Sequence, residues 1–280
     1  MKFGANTFIW SDHFDPGQTA LLDRLKQAGF DGVEIPLIEP EQKRVAEIRR
    51  TIERSGLECT VCSVLPPGLS TISDDADIRN KTQKHLERCI HTVAELRASV
   101  IAGPLYAPVG YLPGHRRTQE EWKHAVNCFQ QLGPELDEFK ITVAIEPLNR
   151  YETYFLNTAA DAAQLCEEIN HPKIGVLFDT YHANIEEKDI AQGIAACGPC
   201  LRHVHSCEND RGIPGTGHVD WLAVASALRK AHYDGWLTIE GFGFSLGALS
   251  TAASIWRDLA PAAEDIAFKG LPFLREIFLA

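Results

Sequence analysis

The feature of this sequence that most limits its possible folds is an alternation of short apolar segments with helix-like segments, repeated along the whole chain. The apolar segments are typical of β-strands covered on both faces, because they carry few polar residues. Eight strands are predicted, at 3–10, 32–37, 58–65, 99–106, 141–148, 174–179, 201–205 and 236–242. Strands that alternate with helices form parallel sheets, and eight such units in 280 residues predict an α/β fold, the (β/α)8 TIM barrel.

Residues that start or stop helices support this alternation. Helix N-caps are predicted at Asp15, Thr158 and Asp220, and Gly29 is predicted to end the first helix. Thr158 opens a capping box before a helix at 162–169, and Asp220 precedes a helix at 221–231. The segment 265–280 is predicted as a C-terminal helical extension that packs on the barrel or on a partner subunit.

The segments that connect the predicted strands and helices indicate a single domain, 1–280. No linker rich in Pro, Gly or Ser divides the chain. A doubly wound open sheet is the alternative architecture, but it usually carries a Gly-rich phosphate loop after its first strand. The segment 10–16 occupies that place and lacks such a loop.

The net charge and the cysteine content limit which binding partners and which cellular compartment are expected. With 27 Lys and Arg against 38 Asp and Glu, the net charge of −11 disfavours nucleic acid as a partner. No apolar run reaches the roughly 18 residues of a transmembrane helix, and the N-terminus resembles a strand more than a signal peptide. The eight cysteines are therefore expected to be reduced thiols in the cytoplasm. Cys197 and Cys200 have the spacing of a redox pair, but a turn between a helix and a strand is the better interpretation.

Acidic residues and one histidine stand where four consecutive strands end. Strands five to eight lead into Glu146, Asp179, His205 and Glu240. The active site of a (β/α)8 barrel lies at this end of the strands, so these side chains should converge. Three carboxylates in one pocket repel one another, and a divalent cation would relieve that repulsion. Oxygen ligands with one nitrogen and no sulfur suit Mn²⁺, Mg²⁺ or Co²⁺.

Further polar and aromatic residues occupy the same loops. Glu152, His182 and Arg211 each follow a predicted ligand by three to six residues and are predicted to contact a substrate. Asn149 and Arg150 are at least as consistent with a supporting role or a turn. Five aromatic residues are placed near the barrel mouth, where they could form a substrate wall or core packing: Phe8, Trp10, Tyr106, Tyr111 and Phe242. Of these, Phe8 and Phe242 are predicted to contact the substrate.

Four segments resemble the ketose 3-epimerases, a group within the xylose isomerase-like barrels, and the resemblance spans essentially the whole chain. The segments are 145–152 (IEPLNRYE), 178–187 (FDTYHANIEE), 203–211 (HVHSCENDR) and 238–242 (TIEGF). The resemblance implies a Mn²⁺- or Co²⁺-dependent isomerase that acts on a sugar and is a homodimer or homotetramer.

The resemblance also implies individual roles. Glu146, Asp179, His205 and Glu240 match metal ligands, and Glu146 and Glu240 match the two catalytic carboxylates. Glu152, His182 and Arg211 match sugar contacts. Two positions depart from the group. Val109 stands near a position where members often carry a tryptophan, with Tyr111 as a substitute aromatic, and the loop after His205 begins with Ser206 and Cys207.

The expected reaction is metal-dependent epimerisation of a free ketose at C3, of the D-allulose/D-fructose, D-tagatose/D-sorbose or L-ribulose type. Two carboxylates on opposite sides of C3 would remove and return the proton. Open alternatives are an aldose–ketose or hydroxypyruvate-type isomerase, a sugar-phosphate epimerase, a polyol dehydratase and a non-catalytic sugar-binding module. A DNA-repair endonuclease of the same barrel type is disfavoured, because the chain is acidic and its second to fourth strands end without histidine.

Overall fold

The eight strands close into a parallel barrel in which each strand pairs with the next and β8 pairs with β1. The computed structural model describes residues 1–40 and 44–279. The strands are β1 Lys2–Asn6, β2 Gly32–Pro36, β3 Glu58–Cys62, β4 Val100–Gly103, β5 Thr142–Ile145, β6 Ile174–Asp179, β7 Leu201–His205 and β8 Trp236–Ile239. The predicted TIM barrel is confirmed, and the open sheet is wrong, because an open sheet has no pairing between its first and last strands.

Helices surround the barrel and connect consecutive strands. Within the described residues they are α1 Thr19–Ala28, α2 Val45–Ser55, α3 Ala76–Glu95, α4 Gln119–Gln131, α5 Gly133–Phe139, α6 Ala159–Ile169, α7 Thr180–Glu186, α8 Ile190–Cys197, α9 Trp221–Lys230, α10 Ala248–Ala252 and α11 Asp265–Leu279. Helix α11 packs against α9 and β8, so the C-terminal extension lies on the barrel itself. Ala280, the last residue of the predicted extension, is outside the described residues. No described helix has the length and apolar character needed to cross a membrane.

Six of the eight predicted strands are longer than the observed ones. The first was predicted to extend to residue 10, but β1 ends at Asn6 and a 3-10 turn follows at Thr7–Ile9. Phe8 and Ile9 in that turn are buried, as are Leu37 and Leu65 beyond β2 and β3. The apolar runs continue past the strands because the loops at this end of the barrel are themselves packed, so hydrophobicity alone does not locate the last ladder hydrogen bond.

The predicted caps at Gly29, Thr158 and Asp220 are confirmed, but three helix boundaries differ. Helix α6 begins at Ala159 and not at 162, with Thr158 accepting from Asp161 N, α9 ends at Lys230 and not at 231, and α1 begins later than predicted. The Asp15 carboxylate accepts from Gly17 N at 2.7 Å and closes a local turn, so α1 begins only at Thr19. Gly29 ends α1 with φ = 100°, a left-handed conformation that favours glycine. Asp220 and Thr158 are the N-caps of α9 and α6.

Cys197 and Cys200 lie in a turn between a helix and a strand, as predicted. Helix α8 ends at Cys197, and a 3-10 turn at Gly198–Cys200 leads into β7. All eight cysteines are free thiols, and neither member of this pair belongs to a potential metal-binding group among the described residues. The interpretation as a turn is confirmed.

Candidate active site

Four side chains from consecutive strands meet at the carboxyl end of the barrel. Asp179 and His205 are the last residues of β6 and β7, and Glu146 and Glu240 directly follow β5 and β8. All four are at most 4% exposed. His205 Nδ1 lies 3.3 Å from Glu240 Oε1 and 3.9 Å from Asp179 Oδ2. Glu146 offers an oxygen within 4.8 Å of ligand atoms on Asp179 and His182. The structure thus brings all four predicted ligands together.

The donor set around His205 fits a divalent cation. The ring donates from Nε2 to Glu34 Oε1 at 2.8 Å, because an ionised carboxylate only accepts. The other nitrogen, Nδ1, is buried and has no hydrogen-bond partner among the described residues. It is directed at the carboxylates of Asp179 and Glu240. A nitrogen lone pair beside buried carboxylate oxygens is a ligand arrangement suited to Mn²⁺, Co²⁺ or Mg²⁺.

The pKa shifts show that this end of the barrel is an electronegative pocket. Burial, reinforced by Glu240, raises the pKa of Glu146 well above its usual value, and burial raises the pKa of Asp179 to about 6. Burial alone would lower the pKa of His205, but Glu240 and Glu34 hold it well above its usual value. Burial therefore disfavours the charged form of these two carboxyl groups, and a bound cation would stabilise that form.

Arg211 lies over this pocket, on the loop after β7. Its guanidinium pairs with Glu240 through Nη1, and its Nη2 lies 3.1 Å from His182 Nε2. The same group lies 4.2 Å from the Tyr181 ring and 4.8 Å from the Phe242 ring. Burial would raise the pKa of Glu240, but His205 and Arg211 hold it well below its usual range. Glu240 is therefore held as an anion, whereas none of the described arginines forms such a pair with Glu146.

His182 and Glu152 are linked through Asn149. The His182 ring accepts at Nδ1 from the Asn149 backbone N–H at 3.0 Å, and Nε2 lies 3.6 Å from Glu146 Oε1. Burial and Arg211 lower the pKa of His182, so its ring is neutral. Asn149 also donates to Glu152 Oε1 at 2.8 Å. Arg150 instead pairs with Glu186 at 2.9 Å, at the surface.

A cavity of about 510 Å³ opens beside these groups. Its lining includes Glu146, Glu152, His182, Arg211 and Glu240 together with Phe8 and Phe242, whose rings stack at 5.5 Å. All five predicted substrate-contacting residues are thus at one cavity.

The other aromatic candidates lie elsewhere. Val109 lines the cavity, whereas Tyr111 packs edge-on against Tyr154 and lines a separate cleft, so Tyr111 is not a substitute for the missing tryptophan. Trp10 packs against Phe268. Tyr106 is buried against Phe155.

Cys207, in the loop after His205, lies beside two of the predicted ligands. Its sulfur is 3.4 Å from Asp179 Oδ2 and 3.4 Å from the backbone oxygen of Glu240, and its one proton can be donated to either acceptor. Burial and Asp179 raise its pKa well above the usual value, so the sulfur stays protonated. The thiol therefore helps to hold two of the predicted ligands.

The sequence analysis missed a polar layer one step deeper in the barrel. Glu34, in the middle of β2, is fully buried and contacts Asn6, Thr60, His203 and His205. Burial would raise the pKa of Glu34, but His205 and His203 hold it well below its usual range. The predicted sites all lay at strand ends, so an acid inside an apolar strand was overlooked. A glutamate within such a strand was itself a signal of a polar layer, because a buried carboxylate requires hydrogen-bond partners.

Glu208 organises the loop that carries Arg211. Its carboxylate accepts from the backbone N–H groups of Gly215 at 2.7 Å and Val219 at 3.0 Å, and from Trp221 Nε1 at 3.0 Å. These contacts join the start of the loop to the start of α9. The loop is therefore held from its inner side while Arg211 faces the cavity.

Comparisons with known proteins agree with this geometry. A family profile described as "Xylose isomerase-like TIM barrel" matches residues 22–277. A probable ketose 3-epimerase of Synechocystis is 35% identical over 99% of this chain and 97% of its own. A ketose 3-epimerase of Arthrobacter globiformis is 33% identical over 99% and 96%. The crystal structure of a D-allulose 3-epimerase from Methylomonas in complex with D-allulose superposes with a TM-score of 0.93 at 30% identity, over 99% of this chain and 96% of the other.

Proposed function

Because this chain belongs to the ketose 3-epimerases of the xylose isomerase-like TIM barrel family, and is thus an isomerase-class enzyme, we propose that it epimerises a free ketose at C3 with a divalent metal. The observation that carries the proposal is the meeting of Glu146, Asp179 and Glu240 with the unpartnered Nδ1 of His205. The proposed substrates are of the D-allulose/D-fructose, D-tagatose/D-sorbose or L-ribulose type.

The metal would be held by Glu146, Asp179, His205 and Glu240. Three oxygen ligands and one nitrogen suit Mn²⁺, Co²⁺ and Mg²⁺ alike. We take Mn²⁺ as the first choice because the resemblance to the ketose 3-epimerases implies Mn²⁺ or Co²⁺. When bound, such an ion polarises the ketose carbonyl and so acidifies the proton on the neighbouring carbon.

Glu146 and Glu240 are the proposed acid and base. A carboxylate on one face of the sugar removes the C3 proton, and the electron pair of the broken C–H bond is delocalised toward the C2 carbonyl oxygen. The other carboxyl group then delivers a proton to the opposite face, which inverts the centre. The two glutamates have different neighbours, since Glu240 pairs with Arg211 and Glu146 lies 3.6 Å from His182 Nε2.

His182, Arg211 and Glu152 are proposed to orient the sugar. His182 Nε2 lies near Glu146 and Arg211, so a sugar oxygen placed among these groups would be within reach of its ring. Arg211 adds further donors, and Glu152 accepts. The stacked rings of Phe8 and Phe242 are proposed to cover an apolar face of the substrate.

The cavity favours a free sugar over a sugar phosphate. Among its lining residues Arg211 is the one cation, and Glu240 already pairs with it. Four carboxylates line the same cavity, those of Asp12, Glu146, Glu152 and Glu240. A phosphate dianion would be repelled by this charge balance, whereas neutral hydroxyls find donors and acceptors.

The test is incubation of the protein with Mn²⁺ in heavy water and a panel of ketoses and their phosphates. The expected result is a new C3 epimer of a free ketose with deuterium at C3. Deuterium at C1 or C2 with an aldose product would contradict the proposal and identify an isomerase. Turnover of phosphates alone would contradict the free-sugar assignment.

We also propose a cytoplasmic homodimer or homotetramer. The free state of all eight cysteines supports a reducing compartment. Large side chains on the loops after β4 and β5 are exposed, Tyr111 and Leu112 by 50% and Tyr151 by 73%, and a subunit interface would cover them. Light scattering coupled to size exclusion gives the subunit number, and a monomer at micromolar concentration would contradict this.

A further inference from the structure

Both carboxylate oxygens of Glu34 have polar partners, in the layer of the barrel interior beneath the proposed metal ligands. Oε1 accepts from Asn6 Nδ2 at 3.0 Å and from His205 Nε2 at 2.8 Å. Oε2 accepts from Thr60 Oγ1 at 2.9 Å and lies 2.8 Å from His203 Nε2. The residue has 0% exposure, so no solvent replaces these partners. A buried anion with this many donors has one stable position.

The contact with Glu34 determines how His205 faces the site. Because the carboxylate accepts the Nε2 proton, a metal that displaces any second ring proton would bind the lone pair of Nδ1. Among the described residues Nδ1 has no hydrogen-bond partner, and it lies beside Asp179 and Glu240. Without Glu34, the ring could carry its proton on either nitrogen and rotate about its χ angles.

Asn6 extends the network to a second predicted ligand. Its Nδ2 lies 3.0 Å from Glu34 and 3.5 Å from Glu240 Oε1, and its Oδ1 accepts from Phe8 N at 2.9 Å. Thus β1 and β2, which supply no predicted ligand, contact the ligands at the ends of β7 and β8.

We propose that Glu34 is a positioning residue that holds His205 in the Nε2–H tautomer and aims Nδ1 at the divalent metal. This inference rests on the proposed function for the identity of the metal site, but not on turnover of any sugar. Carboxylate partners of metal-bound histidines typically contribute 10- to 100-fold to metal affinity.

The experiment compares Mn²⁺ binding to the wild type, Glu34→Gln and Glu121→Gln by titration of the free-ion electron paramagnetic resonance signal. Glu121 is a matched control, because this buried glutamate of α4 accepts from Thr118 N and Tyr154 Oη and does not line the active-site cavity. Glu34→Gln is expected to raise the Mn²⁺ dissociation constant about 10- to 100-fold. Glu121→Gln is expected to change it less than twofold. A folded Glu34→Gln protein that binds Mn²⁺ within twofold of the wild type would overturn the proposal.

A second measurement needs no variant, in case Glu34→Gln does not fold. In wild-type protein loaded with diamagnetic Mg²⁺ and labelled with ¹⁵N-histidine, the nitrogen shifts should show His205 protonated at Nε2. Protonation at Nδ1 would overturn the inference. If Mn²⁺ binding depends on Glu34 while no ketose is epimerised, the positioning role stands and the proposed function fails. A wild-type chain that binds no Mn²⁺ overturns both.

Discussion

Glu146 and Glu240 are both buried glutamates next to a strand end, yet their partners differ. Glu240 pairs with Arg211 and lies beside His205, whereas Glu146 has the neutral ring of His182 3.6 Å away. The environment therefore holds Glu240 as an anion and raises the pKa of Glu146. Two identical residue types thus acquire different properties from the side chains around them.

Changing either glutamate to glutamine should abolish most of the epimerisation. Glutamine keeps the shape and one ligand oxygen but cannot accept the C3 proton, so kcat for Glu146→Gln and for Glu240→Gln should fall about 10²- to 10⁴-fold. Initial-rate assays on the best ketose measure this. Each variant should still exchange deuterium into one epimer, because one carboxylate remains.

Glu120→Gln is the matched control, since this exposed glutamate of α4 pairs with Lys123 and faces no cavity residue. Its kcat should equal that of the wild type. If either Glu146→Gln or Glu240→Gln epimerises at the wild-type rate, the two-carboxylate mechanism is wrong.

Substitution of Arg211 should separate sugar binding from metal binding. Arg211→Ala removes several donors from the cavity, so kcat/KM should fall about 10- to 100-fold. Mn²⁺ affinity should be equal or higher, because a positive charge next to Glu240 is lost. Steady-state kinetics and Mn²⁺ titration measure the two effects.

Arg211→Lys keeps the charge but loses the planar group that lies between Tyr181 and Phe242, so it should recover only part of the activity. Full activity of Arg211→Ala, or loss of its Mn²⁺ binding, would contradict the assignment.

The end of strand β4 depends on a glycine. Gly103 has φ = 136°, and a Cβ there would lie 2.0 Å from the backbone oxygen of Ser63. Its carbonyl accepts from the Glu146 N–H at 3.0 Å, so the strand end also positions a catalytic candidate. A side chain at this position would have to displace β3 or β4.

Gly103→Ala should therefore destabilise the fold by about 2–5 kcal/mol, the sum of steric overlap and an unfavourable φ. The melting temperature, followed by circular dichroism, should fall by several degrees. Gly68→Ala is the matched control, because Gly68 also has a positive φ of 88° but nothing within 4 Å of the added atom. Equal losses in the two variants would show that backbone strain, and not the clash with Ser63, limits this position.

Across the whole molecule, the proposed metal would join four consecutive strand ends, those of β5 to β8. Binding to the folded state alone stabilises it by about 2.7 kcal/mol when the free ion is at 100 times its dissociation constant. The unfolded chain lacks the assembled site, since its ligands are separated by 26 residues or more.

Mn²⁺ at that concentration should thus raise the melting temperature by roughly 5–10 °C, and a chelator should reverse the rise. His205→Ala should lose most of this effect, whereas Glu120→Gln should retain it. Differential scanning calorimetry at several Mn²⁺ concentrations checks this. A wild-type melting temperature that does not respond to Mn²⁺ would contradict a metal site built from these four strands.

The sequence by itself determined the alternation of strands and helices, and with it the barrel and the end of the barrel at which a site would form. Glu146, Asp179, His205 and Glu240 could be found because each follows an apolar strand directly, and strand direction is a local property. Gly29 and Asp220 were found for the same reason, because caps act within one helical turn.

Only the tertiary structure decided which side chains from distant strands touch. Glu34 and His205 are separated by 171 positions and meet because β2 and β7 face the same barrel interior, where Glu34 reaches a height just below His205. That height depends on strand register around the closed barrel, which hydrophobic pattern does not encode. The prediction of Asp15 as an N-cap was wrong for a similar reason. Its carboxylate accepts from the Gly17 N–H, and α1 begins only at Thr19. The residue type determines which hydrogen bonds a side chain can form. The geometry of the folded chain determines which of them it does form.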